Sequence, residues 1–136
     1  MRRNSIPAAR RLRDDAGSAT VEFSLVAVLL TVLTLAVIQL GLGLLVRNTV
    51  LDAAAEGARY AALAGNTLED GVARTRELIT EAVGPSYAHD VTARYGDVLG
   101  HPSTEVRVAT TLPLIGLIGI ERALEVSGHA AVETVD

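Results

Sequence analysis

The chain has 136 residues, enough for one small globular unit. Hydrophobic residues make up 49% of it and aromatic ones only 3%, with one Phe and no Trp, a balance unlike that of a compact soluble enzyme core. There is no Cys, which excludes a disulfide scaffold, thiolate zinc and a catalytic thiol, and the net charge of −4 hides a basic beginning and an acidic remainder.

Residues 1–17 carry five Arg against Asp14 and Asp15, whereas residues 47–136 carry seven Arg against thirteen acids. The acidic part disfavours nucleic-acid binding. Between them, Phe23 to Val46 is a run of 24 residues without a charge, in which Gln39 is the one strongly polar side chain. As a helix it spans about 36 Å, more than the ~30 Å hydrocarbon core of a bilayer. It is apolar all round and too long for a buried core helix or for the usual apolar stretch of a secretory signal. Arg10-Arg11 resembles a twin-Arg signal, but Asp14 and Asp15 sit badly before the apolar stretch. Ala53-Ala54-Ala55 resembles a signal cleavage site, but it lies too far past the run. Five Arg precede the segment and only Arg47 follows closely, so the positive-inside rule puts the N-terminus in the cytoplasm and residues 47–136 outside. The expected localisation is the cytoplasmic membrane, crossed once.

The junction reads Asp15-Ala16-Gly17-Ser18-Ala19-Thr20-Val21-Glu22-Phe23. A carboxylate at the threshold of an apolar helix is costly, by ~2.5–3.5 kcal/mol at the helix centre and less near its edge. If the chain is cut after Gly17, Ser18 becomes the first residue and Glu22 the fifth. The new amino group then starts the helix, and Glu22 can neutralise such a cation on a neighbouring subunit. The plainer reading is that Glu22 marks the membrane boundary.

Basic leader, Gly17, four small or apolar residues, Glu22, Phe23 and a long apolar helix resemble the class III signal of type IV pilin-like proteins. More narrowly, Gly17 to Val26 resembles the start of TadE-like pseudopilins of the tight-adherence (Flp pilus) system. Asp52-Ala53-Ala54-Ala55-Glu56-Gly57-Ala58-Arg59 resembles the Ala-rich E-G-A-R stretch of the same family. The resemblance implies cleavage by a prepilin peptidase between Gly17 and Ser18, with Glu22 as the assembly carboxylate. It also implies partners: other pilins and pseudopilins packed through the apolar helix, a pilus assembly platform and the bilayer. The family often has a Pro near position 28. This chain has Val28, which predicts a straighter helix there. A major Flp pilin is mostly helix, whereas about 90 residues here lie beyond the span.

Past the span, Val46, Val50, Ala54, Ala58 and Ala62 form one apolar stripe at i, i+4 spacing, which predicts one helix over residues 20–64. Glu56 and Arg59 form an i, i+3 pair, and Gly57 weakens the helix enough to permit a bend. Gly65-Asn66 ends it. Thr67 caps a second helix with acids in its first turn and a partial apolar face of Val72, Leu78, Ile79 and Val83, and Gly84-Pro85 stops it. Residues 90–98 alternate through Val91, Ala93 and Tyr95. Residues 104–112 place Val106, Val108, Thr110 and Leu112 on one face. Residues 123–133 place Leu124, Val126, Ala130 and Val132 on one face. These predict three half-buried antiparallel strands. The apolar connection Leu112 to Ile120 is either a contact surface or a segment folded back on the sheet or membrane surface.

The expected fold is therefore α+β: a basic leader over 1–17, a long helix over 18–64 with its span at 23–46, and a small extracytoplasmic domain over 65–136 with a helix and a three-stranded antiparallel sheet. His89, His101 and His129 have no metal-ligand spacing, Gly116-Leu117-Ile118-Gly119 lacks the Lys and Ser/Thr of a phosphate loop, and no nucleophile elbow is present. No cofactor, metal or catalytic residue is expected. The expected role is that of a minor pilin or pseudopilin, a structural subunit in assembly of a tight-adherence pilus or a related secretion apparatus. An unprocessed single-pass interaction module of a secretion system is the first alternative. A membrane-anchored enzyme, which predicts a polar pocket in the head, is the second.

Overall fold

The computed structural model describes residues 9–111 and 124–133, with side chains from residue 17 onward. It divides into two units, with the boundary between Ile38 and Gln39. Five elements and a short 3-10 turn follow in order: helix α1 (Ala9–Ala62), helix α2 (Leu68–Val83), the turn Pro85–Tyr87, and strands β1 (Asp90–Val98), β2 (His101–Thr110) and β3 (Leu124–Ala131).

Among the described residues, the first unit is the part of α1 up to Ile38, and the rest of α1 belongs to the second unit. The helix begins well before the expected position, taking in Ala9–Gly17 of the basic segment. Residues 9–16 contain no Gly or Pro and several strong helix formers, so nothing local stops the helix there. It also runs unbroken through Val28 and Gly57. Its apolar side chains stand exposed from Val21 to Leu45, Phe23 at 75%. The hydroxyls in this stretch are satisfied by the helix itself. Ser24 donates to Thr20 O at 2.9 Å, Thr31 to Ala27 O at 2.8 Å and Thr34 to Leu30 O at 2.8 Å. A helix that meets its own polar needs can sit in hydrocarbon.

The second unit is the head, and its core forms along the predicted stripe. Val50, Ala54 and Ala58 are fully buried, with Val46 and Ala62 nearly so. Val46, Val50, Ala54 and Ala58 form one cluster with Ile79 of α2 and with Val91, Val106, Val108, Leu124 and Val126 of the sheet. The strands lie in the order β1-β2-β3, all antiparallel, with Val91 opposite Val108 and Val108 opposite Val126. Thr104 Oγ1 donates to Ala58 O at 2.8 Å, and Glu133 N donates to Ala62 O at 3.1 Å. Gly128 lies directly on the backbone of Ala54 and Ala55. β3 thus runs parallel to α1, and the sheet end that carries Thr110 and Leu124 lies toward Val46.

α2 starts as expected. Thr67 Oγ1 accepts from Asp70 N at 3.3 Å, and Asp70 Oδ2 accepts from Thr67 N at 2.8 Å, a complete capping box. Gly84, with φ at 104°, closes the helix through its N–H to Ile79 O at 3.2 Å. The buried face of α2 differs from the expected one. Gly71, Thr75 and Ile79 are buried, while Val72, Leu78 and Val83 are half-buried. The reason is the crossing with α1. A Cβ at Gly57 would collide with Thr75 Oγ1 and fall 2.7 Å from Gly71 O, and one at Gly71 would fall 2.7 Å from Ala61 Cβ. Gly57 therefore serves close helix approach, the backbones meeting where large apolar side chains cannot fit.

The strands differ from expectation mainly at their ends. β2 begins at His101, three residues early, and takes in Pro102, whose O still accepts from Val132 N at 3.0 Å. Leu112 and the whole Leu112–Ile120 connection lie outside the described residues. Tyr95 shares a face with Val91 but is 64% exposed, because the helices cover only the other part of β1.

Candidate processing and assembly segment

The three residues singled out at the junction lie within α1, all exposed. Ser18 and Glu22 are one turn apart and share a helix face. Ser18 Oγ donates to Glu22 Oε1 at 3.5 Å, a long contact at the limit of a hydrogen bond. A Cβ built at Gly17 would touch nothing within 4 Å. The Gly17–Ser18 peptide bond thus sits in continuous helix with open space around it. A peptidase that attacks it must first unwind the turn, which Gly17 eases by about 1 kcal/mol relative to Ala.

Glu22 stands at the head of the exposed apolar stretch. An unpaired carboxylate carried among apolar helices is expensive, so any lateral packing of this helix has to give Glu22 a cationic or hydrogen-bonding partner.

The described residues of the head form open depressions. An open groove of about 630 Å³ between α1 and α2 is lined by Glu56, Tyr60, Asp70, Ala73, Arg74 and Glu77. Its charges are already engaged: Asp70 in the cap of α2, Arg74 with Glu77 at 2.8 Å and Glu56 with Arg59 at 3.4 Å. Hydrogen bonds from the Thr67 backbone and hydroxyl hold the Asp70 carboxyl below its usual pKa, and its bond to Glu77 raises that of Arg74. On the outer face of the sheet, Arg94 pairs with Glu105 and Arg107 with Glu125. Burial pushes the Glu105 carboxyl upward, but Arg94, Ser127 and His129 outweigh it and leave its pKa lowered. Among the described residues, no three of His, Cys, Asp and Glu are grouped to hold a metal ion.

An exposed apolar helix long enough to cross a membrane, leading into a small α+β head, defines a membrane-anchored single-pass protein. Residues 17–59 match the family model described as TadE-like protein, so over this segment the chain is similar to that family. The match opens at Gly17, includes Ser18 and Glu22, and closes on the E-G-A-R stretch at Arg59. No curated protein and no solved structure matches the chain.

Sequence reasoning missed the polar and small residues that shape the head. Thr75, Thr104, Gly71 and Gly128 carry no hydrophobic signal, yet each is buried. Their positions at i, i+4 of α2 and on the inward phase of β2 and β3 were the available clue.

Proposed function

We propose that this chain is a minor pilin or pseudopilin that takes part in assembly of a tight-adherence pilus or a related secretion machine. The observation that carries this reading is the TadE-like match opening at Gly17 and running through the exposed apolar helix. A prepilin peptidase cuts between Gly17 and Ser18. The freed helix packs laterally against other pilin helices, with Glu22 paired to a subunit's amino terminus. The head faces the extracytoplasmic side, as the Arg-rich beginning requires, and the assembly platform receives the processed subunit. The chain acts by contact rather than by catalysis.

The test is pilus assembly in cells that carry Glu22→Ala, Glu22→Gln or the parent chain at equal membrane levels. The reading expects both substitutions to block assembly while leaving the head folded. Normal assembly with Glu22→Ala would overturn the role given to the carboxylate.

One observation favours the alternative of an unprocessed anchored module: the segment before Ser18 is helical and continuous with the rest of α1. That alternative expects a retained leader and indifference to Glu22→Ala.

A further inference from the structure

Helix α1 enters the head without a linker. Residues 39–45 belong to the same unit as the head, and Leu40, Leu42, Leu44 and Leu45 among them stand exposed, Leu45 at 58%. One residue on, Val46 is 7% exposed and belongs to the core. Whatever the head places at the level of Val46 therefore borders the surroundings of the exposed leucines.

The topology brings two chain connections to that level. Gly71 of α2 lies against Gly57 and Ala61, Thr75 donates to Ala53 O at 3.4 Å, and Ala82 shares a depression with Thr49. α2 thus runs antiparallel to α1 and ends near Val46. The turn from Gly84 to His89 follows, and β1 starts at Asp90 opposite Ala109. In the sheet, Gly128 lies on Ala54 and Ala55. Leu124, four residues earlier on β3, is about 13 Å further toward Val46, the length of about nine helix residues. The paired ends Thr110 and Leu124 therefore reach the same level.

The chemistry of this base differs from that of the rest of the head. Residues 47–136 carry thirteen acids, but none falls between Glu81 and Asp90 or between Glu105 and Glu121. The nearest acids on the sheet, Asp90 and Glu125, line one depression with Arg107, and Arg107 pairs with Glu125. Arg47, Ser86 and Thr111 are exposed, and Tyr87 is half-buried. The sequence that leaves Thr111, Leu112 to Ile120, has no charge and six Leu or Ile. An acid-free base with an Arg and a Tyr suits a membrane–water interface, whereas the acidic remainder of the head would be repelled by anionic lipid.

The uncharged run that ends at Val46 is about 36 Å long against a hydrocarbon core of ~30 Å, so its end reaches the headgroup layer. A tilt of about 20° moves an element 10 Å from the helix axis by only about 3 Å, less than the ~5–7 Å depth of that layer.

We propose that the head rests on the bilayer through this base, with the Gly84–His89 turn and the Thr110–Thr111 end of β2 in the phospholipid headgroup layer. The surface continues the lipid contact of Leu40 to Leu45. The opposite end of the sheet, the Leu99-Gly100 turn between β1 and β2 with φ of 55° and 83°, stands clear of lipid. The inference rests on the membrane anchoring in the proposed function and not on processing or on Glu22.

The absence of Cys makes single-Cys variants unique labelling sites. Ser86→Cys, Thr111→Cys, Leu99→Cys and Leu45→Cys, all at exposed positions, each carry a fluorophore on the full chain. The chains are reconstituted into vesicles of phosphatidylcholine and phosphatidylglycerol with a quenching nitroxide on the headgroup or, separately, on the acyl chain. The proposal expects the headgroup nitroxide to quench the labels at Ser86→Cys and Thr111→Cys several-fold more than the label at Leu99→Cys. Either base label quenched no more than Leu99→Cys would overturn it. Leu45→Cys, quenched by the acyl-chain nitroxide, reports the anchoring separately; an unquenched label there would overturn the anchoring and the proposal with it.

Discussion

Gly128→Ala tests the packing that joins the sheet to α1. Gly128 sits in β3 opposite Val106 and is not among the glycines with positive φ, so Ala can adopt its backbone conformation. The obstacle is space. The added Cβ would fall 2.5 Å from Ala54 O and would also collide with Ala54 C and Ala55 N. These are helix backbone atoms, so no side chain can rotate away, and β3 has to lift off α1. Overpacking of this kind costs about 1–3 kcal/mol, and a rigid backbone neighbour places it in the upper half of that range. The reduced chain entropy of Ala in the unfolded state returns about 0.4–1 kcal/mol. The net loss is about 2 kcal/mol, which lowers the Tm of a head this size by about 8–16 °C. All three Tyr residues, Tyr60, Tyr87 and Tyr95, lie in the head, and there is no Trp. In the tyrosine band, near-UV circular dichroism of the full chain in detergent therefore follows the head, apart from Phe23 of the span. Gly96→Ala is the control, because its Cβ would meet only Ser103 Oγ, at 3.5 Å. A Tm for Gly128→Ala equal to that of Gly96→Ala would refute the close approach.

The crossing of α1 and α2 gives a second expectation. Gly57→Ala and Gly71→Ala each destabilise the head, but the double variant loses less than the sum, because one separation of the helices makes room for both methyl groups; additive losses in denaturant unfolding would contradict the shared crossing. Thr104→Val removes the buried hydroxyl that bonds Ala58 O and lowers stability by about 1 kcal/mol, measured by the same unfolding; no loss would deny the bond a role. Thr67→Ala removes the cap of α2 and lowers stability by about 1 kcal/mol. Asp70 supplies the matching pH effect. Its folded pKa is lowered by Thr67, so its contribution is present above the ordinary carboxylate value of 3.8 and is lost as pH falls through the lower folded value. An NMR titration expects the Asp70 pKa to rise in Thr67→Ala, and an unchanged value would contradict the capping box.

The parts of this fold that were legible in the sequence are those written in periodicity. The stripe from Val46 to Ala62 marked the buried face of α1, and the alternation in residues 90–98 placed β1 at its observed bounds. Thr67, with acids two and three positions on, announced the start of α2. Glu22 and Gly17 stood out for a chemical reason, a carboxylate and a small residue at the threshold of an apolar run. What stayed hidden depends on where backbones meet. Gly57 read as a weakness in a helix because its value lies in the partner helix that approaches it. Gly128 carried no signal for the same reason. Thr75 and Thr104 are polar by type; Thr75 is satisfied by Gly71 O of its own helix, and only the tertiary fold supplies the Ala58 carbonyl that satisfies Thr104. The Leu99-Gly100 turn was hidden because Leu seldom takes positive φ. The early start of α1 was hidden because a change from basic to apolar side chains leaves no mark on helix propensity.

The central claim is that this chain, similar to TadE-like proteins over residues 17–59, is processed as a pilin subunit, and the intact mass and N-terminal sequence of the protein from native membranes test it most directly. The account predicts a chain that starts at Ser18, with residues 1–17 gone and Glu22 at the fifth position. A chain that retains its Arg-rich beginning in cells with an active prepilin peptidase would contradict it.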